Sequence, residues 1–158
     1  MSNKILSQKF YDEMKKLEPR YPKKVALLLP ALHAAQEETG WLPPEVIDEV
    51  GAYIGIHPAQ VKEVASFYTM YNLKPVGKYH LKICTNVSCA LRGSDELVSH
   101  CEKKLQIRLG ETTKDSRFTL SEEECIGACG TAPAMMLNDD YKENLTQDSL
   151  DQILDGLA

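Results

Sequence analysis

The chain has no run of the ~18 apolar residues that a membrane-spanning helix needs. Its longest apolar stretch, Val25 to Leu32, is short and contains Pro30. No direct membrane insertion is therefore expected. The N-terminus has no apolar core of a secretory signal, and Asp12, Glu13 and Glu18 do not suit a transit peptide. These absences lead us to expect a cytoplasmic protein whose membrane association runs through a partner. A basic stripe is also missing. The net charge is −5, and the most basic stretch, Lys15 to Lys24, is broken by Glu18 and two prolines. Phosphate neutralisation needs clustered cations, so nucleic acid is excluded as a main partner. No glycine-rich nucleotide fingerprint occurs, so the chain is expected to bind neither NADH nor flavin by itself. No C-x-x-C occurs either, which argues against a thiol–disulfide oxidoreductase.

Proline, glycine and hydrophobic periodicity organise the 158 residues. They divide near Lys74-Pro75-Val76-Gly77, into residues 1–75 and 76–158. The first part reads as about four helices. Ser7 is placed to cap the first, which runs to about Leu17 before Pro19. Val25, Leu28, Leu29, Leu32 and Ala35 recur at helical spacing, with Gly40 as a stop. Pro30 either kinks that helix or marks its true first turn. Pro43-Pro44 opens a third helix ending at Gly55, and Pro58 a fourth. Phe67, Tyr68 and Tyr71 make this part a candidate for docking a partner.

The second part alternates. Tyr79 to Ile83 reads as a strand running into Cys84. Ser94 is placed to cap a helix reaching about Arg108, with Leu97, Val98, Cys101 and Leu105 inward and Gly110 as its stop. Strands follow at Phe118–Leu120 and Ala134–Leu137. Asn138-Asp139-Asp140 is a turn signal before a short strand at Tyr141-Lys142. Thr146 caps a last helix with Leu150, Ile153, Leu154 and Leu157 on one face. The order β-α-β-β-(β)-α is that of a small thioredoxin-like α/β domain.

Five cysteines in a reducing compartment point away from disulfides and toward metal or redox chemistry. Cys84 and Cys89 form C-x4-C, and Cys125 and Cys129 form C-x3-C. Both pairs follow predicted strands, where α/β folds place their sites. Four thiolates are the usual ligand set of a [2Fe–2S] cluster. Gly127, Ala128, Gly130 and Thr131 carry little bulk, so their amides are free to approach sulfur. Spacing alone leaves a structural zinc site open, and with it a zinc-stabilised adaptor without redox function. Cys101 lies four residues from both Leu97 and Leu105 and reads as core.

Beyond the cysteines, a longer set of motifs stands out: Gly40-Trp41-Leu42-Pro43, Val64-Ala65-Ser66-Phe67-Tyr68-Thr69-Met70-Tyr71, Leu91-Arg92-Gly93-Ser94, Glu124-Cys125-Ile126-Gly127-Ala128-Cys129, Ala132-Pro133 and Asn138-Asp139-Asp140-Tyr141. In this combination the chain closely resembles the thioredoxin-like [2Fe–2S] subunits, usually lettered E, of the NADH dehydrogenase module of respiratory complex I. The resemblance implies an N-terminal helical bundle followed by a thioredoxin-like [2Fe–2S] ferredoxin domain. It implies one [2Fe–2S] cluster on Cys84, Cys89, Cys125 and Cys129. It implies partnership with a flavin- and [4Fe–4S]-containing NADH-binding subunit and the remainder of complex I. FMN and NADH are then expected only in that partner. Through the complex, the chain would sit peripherally on the cytoplasmic side of the membrane. Its role would be one-electron transfer within NADH:quinone oxidoreductase, with no catalytic activity alone. Related subunits serve soluble NAD-linked hydrogenases and formate dehydrogenases. Met135-Met136 departs from the branched aliphatic character expected there.

Overall fold

The computed structural model describes residues 4–157, and two units part between Pro75 and Val76. The first is helical: α1 is Gln8–Leu17, α2 Leu28–Thr39, α3 Pro44–Ile54 and α4 Pro58–Phe67. Helical spacing brings Phe10, Met14, Leu32, Val46 and Val50 into one fully buried core. Burying each such side chain contributes roughly 1.5–3 kcal/mol, which these short helices need because none is stable alone. Pro30 falls in the first turn of α2, where its missing N–H costs nothing, so it does not kink the helix. Gly40 ends α2 with φ 78°, a left-handed conformation that penalises a Cβ. His57 caps α4: its Nδ1 accepts from the Ala59 amide at 3.2 Å.

Two readings of this unit change. Ser7 precedes α1 but makes no cap; its hydroxyl donates to Glu38 at 3.1 Å instead. The carboxylates of Glu38 and Glu49 take up the amides of Ile5, Leu6 and Ser7, which leaves the hydroxyl without a capping role. Tyr71 is not a docking residue. It is buried, and its hydroxyl donates to the Leu29 carbonyl at 3.0 Å. Phe67 and Tyr68 remain exposed.

The second unit holds β1 (Tyr79–Cys84), the single-turn helix α5 (Val87–Ala90), α6 (Ser94–Leu105), β2 (Phe118–Glu123), β3 (Met135–Leu137), β4 (Asp140–Lys142) and α7 (Gln147–Gly156). The sheet order is β2-β1-β3-β4. β1 pairs parallel with β2, setting Cys84 opposite Glu123. β1–β3 and β3–β4 are antiparallel. Leu81, Ile83, Leu97, Leu120, Met135 and Leu150 form the core between sheet and helices, and Cys101 is fully buried with them. Gly77 precedes β1 where a Cβ would sit 2.8 Å from the Arg117 backbone, so only glycine fits. Thr146 caps α7, accepting from the Ser149 amide at 3.1 Å.

α6 is shorter than expected, and its ends differ. Gly93 (φ 92°) is the N-cap, so Ser94 is the first helical residue rather than the cap. The helix stops at Leu105, with Gln106 at φ 54° and its amide on the Glu102 carbonyl. Gly110 is not the stop. Its amide donates to Leu120 at 2.7 Å, in the turn that brings Thr112 against Thr119.

Candidate metal centre

The parallel pairing of β1 and β2 decides where the cysteines go. Two parallel neighbours end on the same side of the sheet, so the chain leaves both strands at one place. Cys84 is the last residue of β1, and Cys125 lies two residues beyond β2. Cross-loop hydrogen bonds hold the exits together: the Thr85 amide donates to Glu123 at 3.1 Å, and Asn86 Nδ2 donates to the Glu124 carbonyl at 2.7 Å. The Asn86 carboxamide oxygen also accepts from the Val87 amide and opens α5, which carries Cys89. The second loop enters a 3₁₀ turn at Cys129–Thr131. Gly127 shapes it with φ 79°. Tyr141 anchors it from β4, its hydroxyl donating to the Ile126 carbonyl at 2.9 Å.

The two cysteine pairs differ in setting. Cys84 is 3% exposed and Cys89 2%, and their thiols are close enough to perturb each other's titration. Ile126, Ala132 and Ala134 surround them, with Met136 alongside. Cys125 and Cys129 are exposed. Among the described residues, no three His, Cys, Asp or Glu side chains are drawn together as a formed metal site. What the structure brings into contact is the Cys84–Cys89 pair.

The donor chemistry nonetheless suits an anionic thiolate centre. Burial pushes the Cys84 thiol up, but the backbone amides of Asn86 and Ile126 and the Cys89 thiol outweigh it, and Cys84 is held below the usual thiol range. Cys89 is pushed up, by burial first and by its neighbour Cys84, although the Ala134 amide offsets part of this. The Gly127 amide points at Cys125 Sγ at 3.4 Å. Amide-to-sulfur bonds of this kind stabilise thiolates and tune an iron–sulfur centre. Soft sulfur donors, a dry wall on one side and converging amides fit a [2Fe–2S] cluster. Cys101 lies apart, with burial in the core pushing its thiol up to about 12.

Asn86 and Tyr141 do more here than their sequence positions suggested. An Asx residue just before a helical turn inside C-x4-C is a visible signal for Asn86. Nothing in the sequence pairs Tyr141 with Ile126. Met136 sits against the cysteine shell, while Met135 belongs to the main core.

Comparison with known proteins adds four findings. The family model for thioredoxin-like [2Fe–2S] ferredoxin matches residues 14–158. The E subunit of the NADH-quinone oxidoreductase of Rickettsia conorii is 50% identical over 147 residues, spanning 92% of this chain and 87% of that protein. A counterpart from Rhizobium meliloti, the second E subunit of the same kind of oxidoreductase, is 46% identical, spanning 92% and 86%. Among solved structures, an air-oxidised NAD+-reducing [NiFe]-hydrogenase superposes with a TM-score of 0.73 at 24% identity, which establishes likeness of fold. That match spans 83% of this chain and 22% of the hydrogenase chain.

Proposed function

The chain belongs to the thioredoxin-like [2Fe–2S] ferredoxin family, and from this premise we propose that it is the one-electron carrier subunit beside the flavin of an NADH-oxidising partner in complex I. The observation that carries the reading is the meeting of two cysteine loops at the ends of two paired parallel strands. Cys84, Cys89, Cys125 and Cys129 are the residues that would hold the cluster. When bound, the group supplies a couple that gains and loses one electron with no substrate bond made. The chain's own residues fix the thiolates, aim amides at them and keep water from Cys84 and Cys89. No general acid or base is needed, so no catalytic activity is expected of the chain alone.

The partner is the flavin- and [4Fe–4S]-containing subunit that binds NADH. Among the described residues no helix is long and apolar enough to cross a membrane. With complex I as host, we place the chain on the cytoplasmic side of the membrane, held there through its partners. The similarity to quinone-linked subunits spans nearly the whole chain at 46–50% identity, and it favours complex I over a soluble hydrogenase or formate dehydrogenase as host. The test is co-expression with the flavin subunit. NADH is expected to reduce the centre of this chain in the co-purified pair, seen as a paramagnetic signal. A pair that forms yet leaves that centre oxidised at low ambient potential would contradict the reading.

A further inference from the structure

Among the described residues, two buried side-chain polar atoms have no hydrogen-bond partner: Tyr53 Oη and Ser94 Oγ. Tyr53 is half-buried and belongs to the helical unit. Ser94 is 0% exposed and belongs to the cysteine-bearing unit. A hydroxyl shut away from water without a partner is costly, and buried polar groups nearly always have one. A helical serine commonly returns its hydroxyl to the carbonyl four residues back. For Ser94 that is Ala90, whose carbonyl takes the Gly93 amide at 3.1 Å, and no turn of α6 precedes Ser94. The local acceptor is not used. Topology fixes the end of the unit at which this hydroxyl lies. β1 ends at Cys84, and β2 is its parallel neighbour. A crossover between parallel strands carries the chain back to the start of the second strand. α6 therefore runs opposite to β1 and begins at the end where Cys84 lies. Ser94 opens α6 on the buried stripe that it shares with Leu97, Val98 and Cys101. The Arg92 amide donates to the Cys89 carbonyl and the Gly93 amide to that of Ala90, both at 3.1 Å, which winds the link between α5 and α6 tightly. Ser94 is thereby held one short turn beyond Cys89, and both are buried.

We propose that the Ser94 hydroxyl donates a hydrogen bond to a ligand sulfur of the buried pair, Cys84 and Cys89, and so raises the reduction potential of the bound cluster. The proposal rests on the electron-carrier reading above and adds to it a residue, outside the four ligands, that sets the potential. A neutral thiol accepts hydrogen bonds weakly, whereas a thiolate on iron accepts strongly, so the bond belongs to the loaded protein. The positive end of the α6 dipole lies at the same place and acts in the same direction. Four thiolates, two sulfides and two ferric ions make a dianion, and one added electron makes a trianion. A donor to sulfur stabilises the trianion more than the dianion and so favours reduction. The hydroxyl keeps its proton throughout, and no proton moves through Ser94.

The experiment uses the full chain with its cluster. Ser94→Ala and Ser94→Gly remove the hydroxyl without adding bulk, and Ser94→Thr keeps a hydroxyl. Ser99→Ala removes one from an exposed position on the same helix. Midpoint potentials are read from redox titrations followed by visible absorption and electron paramagnetic resonance. Resonance Raman spectra of the Fe–S stretches are recorded in H2O and in D2O. Both removals are expected to disfavour reduction about tenfold, a fall of about 59 mV for one electron. They are also expected to lose part of the D2O shift of the Fe–S stretches. Ser94→Thr should restore most of the potential, and Ser99→Ala should not change it. Unchanged potential and D2O shift in Ser94→Ala and Ser94→Gly overturn the proposal and leave the electron-carrier reading intact. Fe–S stretches of the unaltered chain that do not respond to D2O overturn it without any variant. An unaltered chain that holds no [2Fe–2S] cluster overturns the reading and the proposal together.

Discussion

At the scale of single residues, position on a fold matters more than residue type. Five cysteines share one chemistry, yet Cys101 is a core residue with its thiol pushed up to about 12, while Cys84 is held down by amides. Replacing Cys84, Cys89, Cys125 or Cys129 by Ser is therefore expected to abolish or alter the visible spectrum of the cluster. Cys101→Ser should leave that spectrum unchanged and cost about 1–3 kcal/mol of stability, the penalty of burying a hydroxyl without a partner. Denaturant unfolding checks the second half of that statement. His80 supplies a pH signature. Burial, and secondarily Lys82, lowers its imidazole to about 4, while its ring nitrogen rests 2.9 Å from the Ser121 hydroxyl. The folded state holds a neutral ring that the unfolded chain protonates near 6.5. Stability contributed by this group is thus full above about pH 6.5 and falls as pH drops toward 4, by about 3 kcal/mol at most. His80→Gln should flatten that window in a series of denaturant titrations.

At the scale of elements, caps and cross-loop ties decide where the chain turns. Thr146→Ala removes the hydroxyl that accepts from Ser149 and should lower stability by about 1 kcal/mol, read as a fall in Tm. Asn86→Ala removes both the α5 cap and the tie to Glu124. Cluster loss under a chelator challenge is expected to quicken in that variant, with little change in the far-ultraviolet spectrum. Much of this scale was legible beforehand. Short apolar runs between helical patterns located the strands, and Pro44, Pro58 and Thr146 marked helix starts that the structure keeps. The misjudged ends have physical reasons. Ser7 and Ser94 look like caps, but Ser7 is drawn to Glu38 by tertiary packing, and Gly93 takes the cap position ahead of Ser94. Gly110 looks like a helix stop, but Gln106 accepts the left-handed conformation first because its amide still reaches Glu102. A long-range partner overrides the local signal at Ser7, whereas at Ser94 and Gly110 another residue of the same segment takes the terminal conformation first.

At the scale of the whole molecule, the two spacings C-x4-C and C-x3-C did not by themselves distinguish iron–sulfur from zinc. Strand pairing added the missing relation. Residues 84 and 125 are far apart in the chain, and only the parallel register of β1 with β2 brings their loops to one edge. Family membership then identifies the group as a single [2Fe–2S] cluster, so zinc is no longer the natural occupant. The helical unit has a core of its own, separate from that of the cysteine-bearing unit. Its exposed Phe67 and Tyr68 are not needed for ligation. The central claim is that Cys84, Cys89, Cys125 and Cys129 hold one redox-active cluster. Electron paramagnetic resonance of the anaerobically purified chain, with iron and labile sulfide assayed on the same sample, tests it most directly. The account predicts no signal when oxidised and, after reduction, one rhombic signal of one spin per chain from about two irons and two sulfides. A colourless chain loaded with zinc, silent before and after reduction, would contradict it.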